Sequence, residues 1–214
     1  MKTQKHKKLL ITGLCCLFVA VVCALVYTFV IKKEGTSQEK DDTTVETDSE
    51  KFVKEYPAVG QNNMFVYKSM DEIGDILESG TGIVYLGFPE CKWCQEYVKY
   101  LYAVAVEENI DTIYYTNILV DRKNNTEQYQ RLVAILKDYL LKDEEGNPRI
   151  YVPDITVVSN GKILGHDNET SVITSAESGT PQEYWTEEKI RNLKERLREM
   201  FKKLESNTCT SCEV

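Results

Sequence analysis

The 214 residues leave room for one domain and its appendages. Formal charge is −8 but unevenly placed: residues 1–33 carry six Lys and no acid, leaving 20 of the 26 Lys and Arg against all 34 Asp and Glu, a net −14. That acidic remainder offers no basic patch for nucleic acid and no charge attraction to anionic lipid.

The first element is apolar. Leu9 to Ile31 holds no charged residue and is long enough to cross a hydrocarbon core as a helix. Lys2, Lys5, Lys7 and Lys8 precede it, and Lys32 and Lys33 follow. The heavier flank predicts a cytoplasmic tail at 1–8, a membrane anchor at 9–31 and an extracytoplasmic remainder. A cleaved signal peptide fits less well, because the run is long for its apolar part and no A-x-A-like site follows. A lipoprotein signal also fits less well: Leu14, Cys15 and Val22 precede Cys15, Cys16 and Cys23, where a small residue is needed. These three cysteines read as packing or lipid-facing residues.

Residues 32–60 read as a disordered acidic stalk, since Glu34 to Lys54 is polar and has few apolar residues with which to build a core. A domain is expected over 61–205, with order from about Met64, and a polar tail over 206–214. Met64 to Tyr67 reads as a short strand. Ser69 with Glu72 forms a capping box for a helix through Glu78, ended by Gly80. Ile83 to Phe88 has no charge and reads as a central strand covered on both faces. The helix that follows places Cys94, Val98, Leu101 and Ala105 on one stripe. Thr112 to Leu119 reads as a strand and Thr126 to Leu141 as a helix, with Tyr129, Leu132, Val133, Leu136 and Leu140 inward. Asp143 to Pro148 is a turn-rich connector. Tyr151 to Val158 reads as a strand entered through Pro153. Asn160-Gly161 signals a two-residue hairpin to 162–165. A polar loop, with His166 read as solvent-exposed, runs to about Gln182. The last helix has Thr186 as N-cap, Trp185 and Ile190 as a staple, and Ile190, Leu193, Leu197, Phe201 and Leu204 as its apolar stripe. The order implies an α/β domain with a central mixed sheet, parallel first and antiparallel last, flanked by helices.

Cys91-Lys92-Trp93-Cys94 sits where strand gives way to helix. A zinc knuckle has the same spacing, but a C-x-x-C on a strand-to-helix turn in a βαβ pattern points to thiol redox chemistry. Cys91 falls at the helix N-terminus, where free N–H groups and the helix dipole favour a thiolate. Cys91 is therefore the candidate nucleophile, and Cys94, one turn in, the resolving thiol. Lys92 would lower the Cys91 pKa and Glu90 would raise it. Trp93 lies at the mouth and reads as a substrate-contacting rim. The bland alternative is an inert disulfide pinning strand to helix, yet so short a loop stabilises little. Cys209-Thr210-Ser211-Cys212 is a second pair, read either as a tail disulfide or as a shuttle exchanging with the first. Four thiolates could also suit a structural zinc, though the first pair would have to leave its packing. No cofactor or metal is expected.

Cys91-Lys92-Trp93-Cys94 after a strand, together with Val152-Pro153 before a hairpin, resembles the thioredoxin-like superfamily over residues 64–205. The resemblance implies that Pro153 is cis and packs beside the disulfide. It also implies that Val152 offers backbone groups to an extended substrate. Phe88-Pro89-Glu90-Cys91 with Trp93-Cys94, and the anchor, look similar to the bacteriocin transport accessory proteins of Gram-positive bacteria. One departure stands out. Such folds bury an Asp six residues before the first cysteine as a proton shuttle, and here that position is Tyr85, whose pKa suits it poorly as a base. Water or Glu90 then remains as the proton route.

The reading is a membrane-anchored, extracytoplasmic thiol–disulfide oxidoreductase. Its expected partners are exported proteins with cysteines and a membrane or extracytoplasmic redox protein that recharges it. The rival is a non-enzymatic accessory or binding subunit of an export or immunity system.

Overall fold

Alternation within a single strand organises the molecule. Ile83 and Tyr85 of β2 (Gly82–Gly87) point into one buried cluster, and Val84 and Leu86 into a second on the opposite face. The computed structural model describes residues 46–168 and 179–209, with backbone only for 207–209. Five strands form the sheet in the order β1-β3-β2-β6-β7. β1 (Phe65–Tyr67), β3 (Ile113–Asn117) and β2 run parallel, whereas β6 (Asp154–Ser159) is antiparallel to β2 and β7 (Lys162–Asp167) to β6.

Helices cover both faces. On one side α1 (Asp48–Glu55), α3 (Lys92–Glu107) and α7 (Glu187–Cys209) bury Phe52, Tyr97, Leu101, Leu197 and Phe201. On the other, α2 (Met70–Ser79) and α5 (Glu127–Leu136) bury Ile73, Leu77, Leu132 and Leu136. The Ser69–Glu72 capping box forms in both directions, and Gly80 ends α2. The α3 stripe of Cys94, Val98, Leu101 and Ala105 is wholly buried. At the hairpin, Asn160 and Gly161 take φ of 48° and 73°, both left-handed as a tight I′-type turn requires. A side chain at Gly161 would also strike the Glu78 carbonyl oxygen.

The stalk expected over 32–60 ends earlier than its composition implies. Thr47 and Glu50 form a capping box, and the helix it opens drives Phe52 against Phe65, with ring centroids 3.8 Å apart. Tyr56 and Val59 are buried behind it. Asp48 fixes the edge strand by accepting the Tyr67 N–H at 2.9 Å. Three apolar side chains are enough to dock this segment because the sheet presents them an aromatic wall.

Other boundaries shift for local reasons. With Thr126 as N-cap, α5 stops at Leu136, and the chain turns so that β4 (Leu141–Lys142) pairs with β5 (Pro148–Arg149). Asp143 supports that small hairpin by accepting the N–H groups of Glu145 and Asn147. α4 (Leu119–Asn124) occupies the β3–α5 connection, and α6 (Pro181–Tyr184) precedes α7. β6 starts only after the proline. Among the described residues no helix is long and apolar enough to cross a membrane, and the Leu9–Ile31 run lies outside them.

Candidate active site

β2 delivers the cysteines. Its strand ends at Gly87, the chain turns with the Cys91 N–H donating to the Phe88 carbonyl at 3.2 Å, and α3 starts at once. Gln95 holds this turn to the preceding structure by donating from Nε2 to the carbonyls of Pro89 and Glu55, each at 2.8 Å. Cys91 is the N-cap of α3, and its sulfur accepts the Cys94 N–H at 3.2 Å. That contact is the one a side-chain oxygen makes at an ordinary N-cap, here made by sulfur. Both cysteines are free thiols; Cys91 is half-buried and Cys94 fully buried.

The two thiols are driven apart. Cys91 is lowered from 9.0 to about 7, first by the hydrogen bond from the Cys94 thiol. Burial opposes this, and the N–H groups of Cys94 and Trp93 and the Arg122 guanidinium reinforce it. Cys94 is pushed well up, first by burial and then by Cys91. Arg122 is on α4 and lies over the Phe88 ring, 4.8 Å from its centroid. Glu90 and Lys92, expected to set the Cys91 pKa, are exposed, and neither is a leading cause. Arg122, distant in sequence, adds a smaller lowering behind the Cys94 thiol and the two N–H groups.

Val152-Pro153 is a cis peptide bond. The Cys91 thiol donates toward the Val152 carbonyl oxygen at 3.8 Å, so the loop before β6 faces the sulfur. Trp93 is half-buried rather than a free rim. Its ring meets Tyr184 edge-on at 5.4 Å, and Tyr184 in turn meets Trp185 at 5.0 Å. Lys92 and Trp93 also line an open cleft of about 460 Å³ with Thr180, Pro181 and Glu183.

Sequence reasoning missed a buried polar pair close behind this loop. Asp154, next to Pro153, is fully buried, and its Oδ2 lies 3.3 Å from His166 Nε2. His166 is thus a β7 side chain inside the sheet layer and not in a solvent-exposed loop; Thr156 Oγ1 is 3.0 Å from its Nδ1. Burial disfavours the charged form of each, pushing Asp154 well up and His166 down to about 4. Asp167, on the other face, accepts the Tyr97 hydroxyl at 2.6 Å and pairs with Arg196 at 3.0 Å. The alternation Ile155, Val157 against Asp154, Thr156 held the signal for a second, polar-bearing face.

Among the described residues there is no group of three or more His, Cys, Asp or Glu placed to hold a metal ion. Cys212 and the side chain of Cys209 lie outside the described residues, as do Cys15, Cys16 and Cys23. No family model matches the chain, nor does any curated protein or solved structure.

Proposed function

We propose that this protein is a thiol–disulfide oxidoreductase of thioredoxin-like fold that acts through Cys91 and Cys94. The observation that carries the reading is the asymmetry of the pair. A half-buried sulfur with a lowered pKa sits at a helix N-cap, backed by a fully buried thiol and faced by the Val152 carbonyl. Further support comes from the strand order, parallel then antiparallel, and from the Val152-Pro153 loop beside the sulfur, where the family resemblance puts it.

The chemistry needs no group beyond the two thiols and the client. The Cys91 thiolate attacks one sulfur of a client disulfide, forming a mixed disulfide, and the other client sulfur leaves as a thiolate that takes a proton from water. Cys94 then loses its proton and attacks the Cys91 sulfur. The Cys91–Cys94 disulfide forms, the second client thiol is released, and two electrons have passed to the client. Run backwards, the same steps oxidise a client dithiol. Val152 would pair with the extended client segment, and Trp93 would form the wall of its path. Anchored through 9–31 with the domain outside the cell, the protein would take exported proteins with cysteines as clients. A membrane or extracytoplasmic redox protein would reset the pair. A role beside bacteriocin export, as in the accessory proteins it resembles, fits that placement.

The test is a Cys94→Ser variant of the full-length chain expressed in its anchored form. It should accumulate mixed disulfides through Cys91 to exported proteins, identified by mass spectrometry after acid quenching. A variant that traps none, with Cys91 still alkylatable, would leave the fold as a binding module.

A further inference from the structure

Cys94 is fully buried, yet it must shed a proton before it can resolve a mixed disulfide. No carboxylate stands at the usual place, which Tyr85 takes. Tyr85 is itself fully buried and lies against the Cys94 thiol. Its ring stacks on Tyr115 with centroids 5.7 Å apart, and Tyr56 meets both rings edge-on, at 6.3 and 5.9 Å.

The hydroxyls of this cluster line up toward solvent. A Cβ on Gly87 would lie 2.9 Å from the Tyr85 hydroxyl and 3.2 Å from that of Tyr56, so the two converge beneath a residue without a side chain. The Tyr56 and Tyr115 hydroxyls are 3.3 Å apart. The Tyr115 hydroxyl donates to Glu55 Oε2 at 3.4 Å. Glu55 ends α1 and is only half-buried, and Tyr67 flanks it from β1.

We propose that Tyr85, Tyr56 and Tyr115 relay the Cys94 proton to Glu55 and so to water. This rests on the exchange reaction proposed above. Each hydroxyl accepts a proton on one side and gives one up on the other, so none need ionise. That matters because burial holds all three phenols above their ordinary 10.0. As Cys94 attacks, its proton passes to the Tyr85 oxygen, the Tyr85 proton to Tyr56, the Tyr56 proton to Tyr115, and the Tyr115 proton to the Glu55 carboxylate. The electron pair left on the Cys94 sulfur makes the new bond to Cys91. In the free dithiol the Tyr85 hydroxyl has no aligned hydrogen bond and the outer links are long, and such contacts tighten as charge develops in the reacting complex.

The test compares Tyr85→Phe, Tyr56→Phe, Tyr115→Phe and Glu55→Gln in the reduced full-length protein, mixed rapidly with oxidised glutathione and quenched in acid. Formation of the Cys91–glutathione disulfide should match the parent in all four. Its decay to the Cys91–Cys94 disulfide should slow by at least about tenfold in Tyr85→Phe, and measurably in the other three. Decay at the parent rate in Tyr85→Phe, or formation slowed as much as decay, overturns the relay and leaves the exchange reaction standing. A parent protein that never forms the mixed disulfide overturns both.

Discussion

The Cys91 sulfur and the Val152 carbonyl oxygen face each other at 3.8 Å although 61 residues separate them in the chain. Strand register brings them together. Leu86 of β2 pairs with Asp154 of β6 in antiparallel sense, so the residues leaving β2 and those entering β6 meet at one edge of the sheet. Cys91 follows the first and Val152 precedes the second. A disulfide bound at Cys91 therefore has backbone acceptors within reach on the neighbouring loop.

The Cys91 thiol should titrate with a midpoint near 7, read as the rate of alkylation by limiting iodoacetamide across pH, and Cys94 should label far more slowly. Arg122→Ala should raise that midpoint, because the guanidinium lowers it. The same depression makes a stability statement. The folded value lies below 9.0, so the thiolate's contribution is present in full above pH 9 and lost as pH falls through 7. Faster labelling at Cys94 would reverse the assignment of roles.

Phe52→Ala should destabilise the protein by about 3–5 kcal/mol, the range for emptying a buried aromatic site. Phe52 is fully buried and stacks on both Phe65 and Tyr56. Urea unfolding of parent and variant measures it. A change within about 0.5 kcal/mol, as at a surface site, would detach α1 from the domain.

Much of the site was legible because its signals are local. A strand, a turn and a helix carry the C-x-x-C within a dozen residues, Ser69 and Glu72 cap within one turn, and Asn160-Gly161 is a hairpin by itself. What escaped depends on distance. Arg122 reaches Cys91 only because α4 crosses Phe88. Phe52 and Tyr56 sit in a polar, acidic stretch whose composition outweighs them until the aromatic wall of Phe65 and Tyr115 is in place. His166 reads as a loop residue because only β6 pairing extends β7 as far as Asp167.

Asp154→Asn should stabilise the protein at neutral pH. Burial raises the Asp154 carboxyl well above its usual 3.8, so the folded state holds a proton that the unfolded chain gives up. The resulting penalty is absent below about pH 3.8, the unfolded value, and grows as pH rises above it. The amide cannot ionise. Thermal melts should show a higher Tm for the variant at pH 7.5 and a smaller gap at pH 4.5. A lower Tm at pH 7.5 would mean that the pair is ionised in the folded state.

Protease added to intact protoplasts should degrade the domain while sparing a cytoplasmic marker. The uncharged Leu9–Ile31 run and its heavier N-terminal basic flank lead to this outcome. Full protection of the C-terminal half would place the domain inside and remove exported proteins as clients.

The central claim is reversible exchange at Cys91 and Cys94. The most direct measurement equilibrates the full-length protein in glutathione buffers of stepped redox poise, quenches in acid, alkylates, and maps both residues by mass. The expected result is a single two-electron transition between the dithiol and the Cys91–Cys94 disulfide, the same when approached from either direction, and abolished in Cys91→Ser. A pair that stays reduced or stays oxidised across the whole range, or that oxidises without returning, would contradict it.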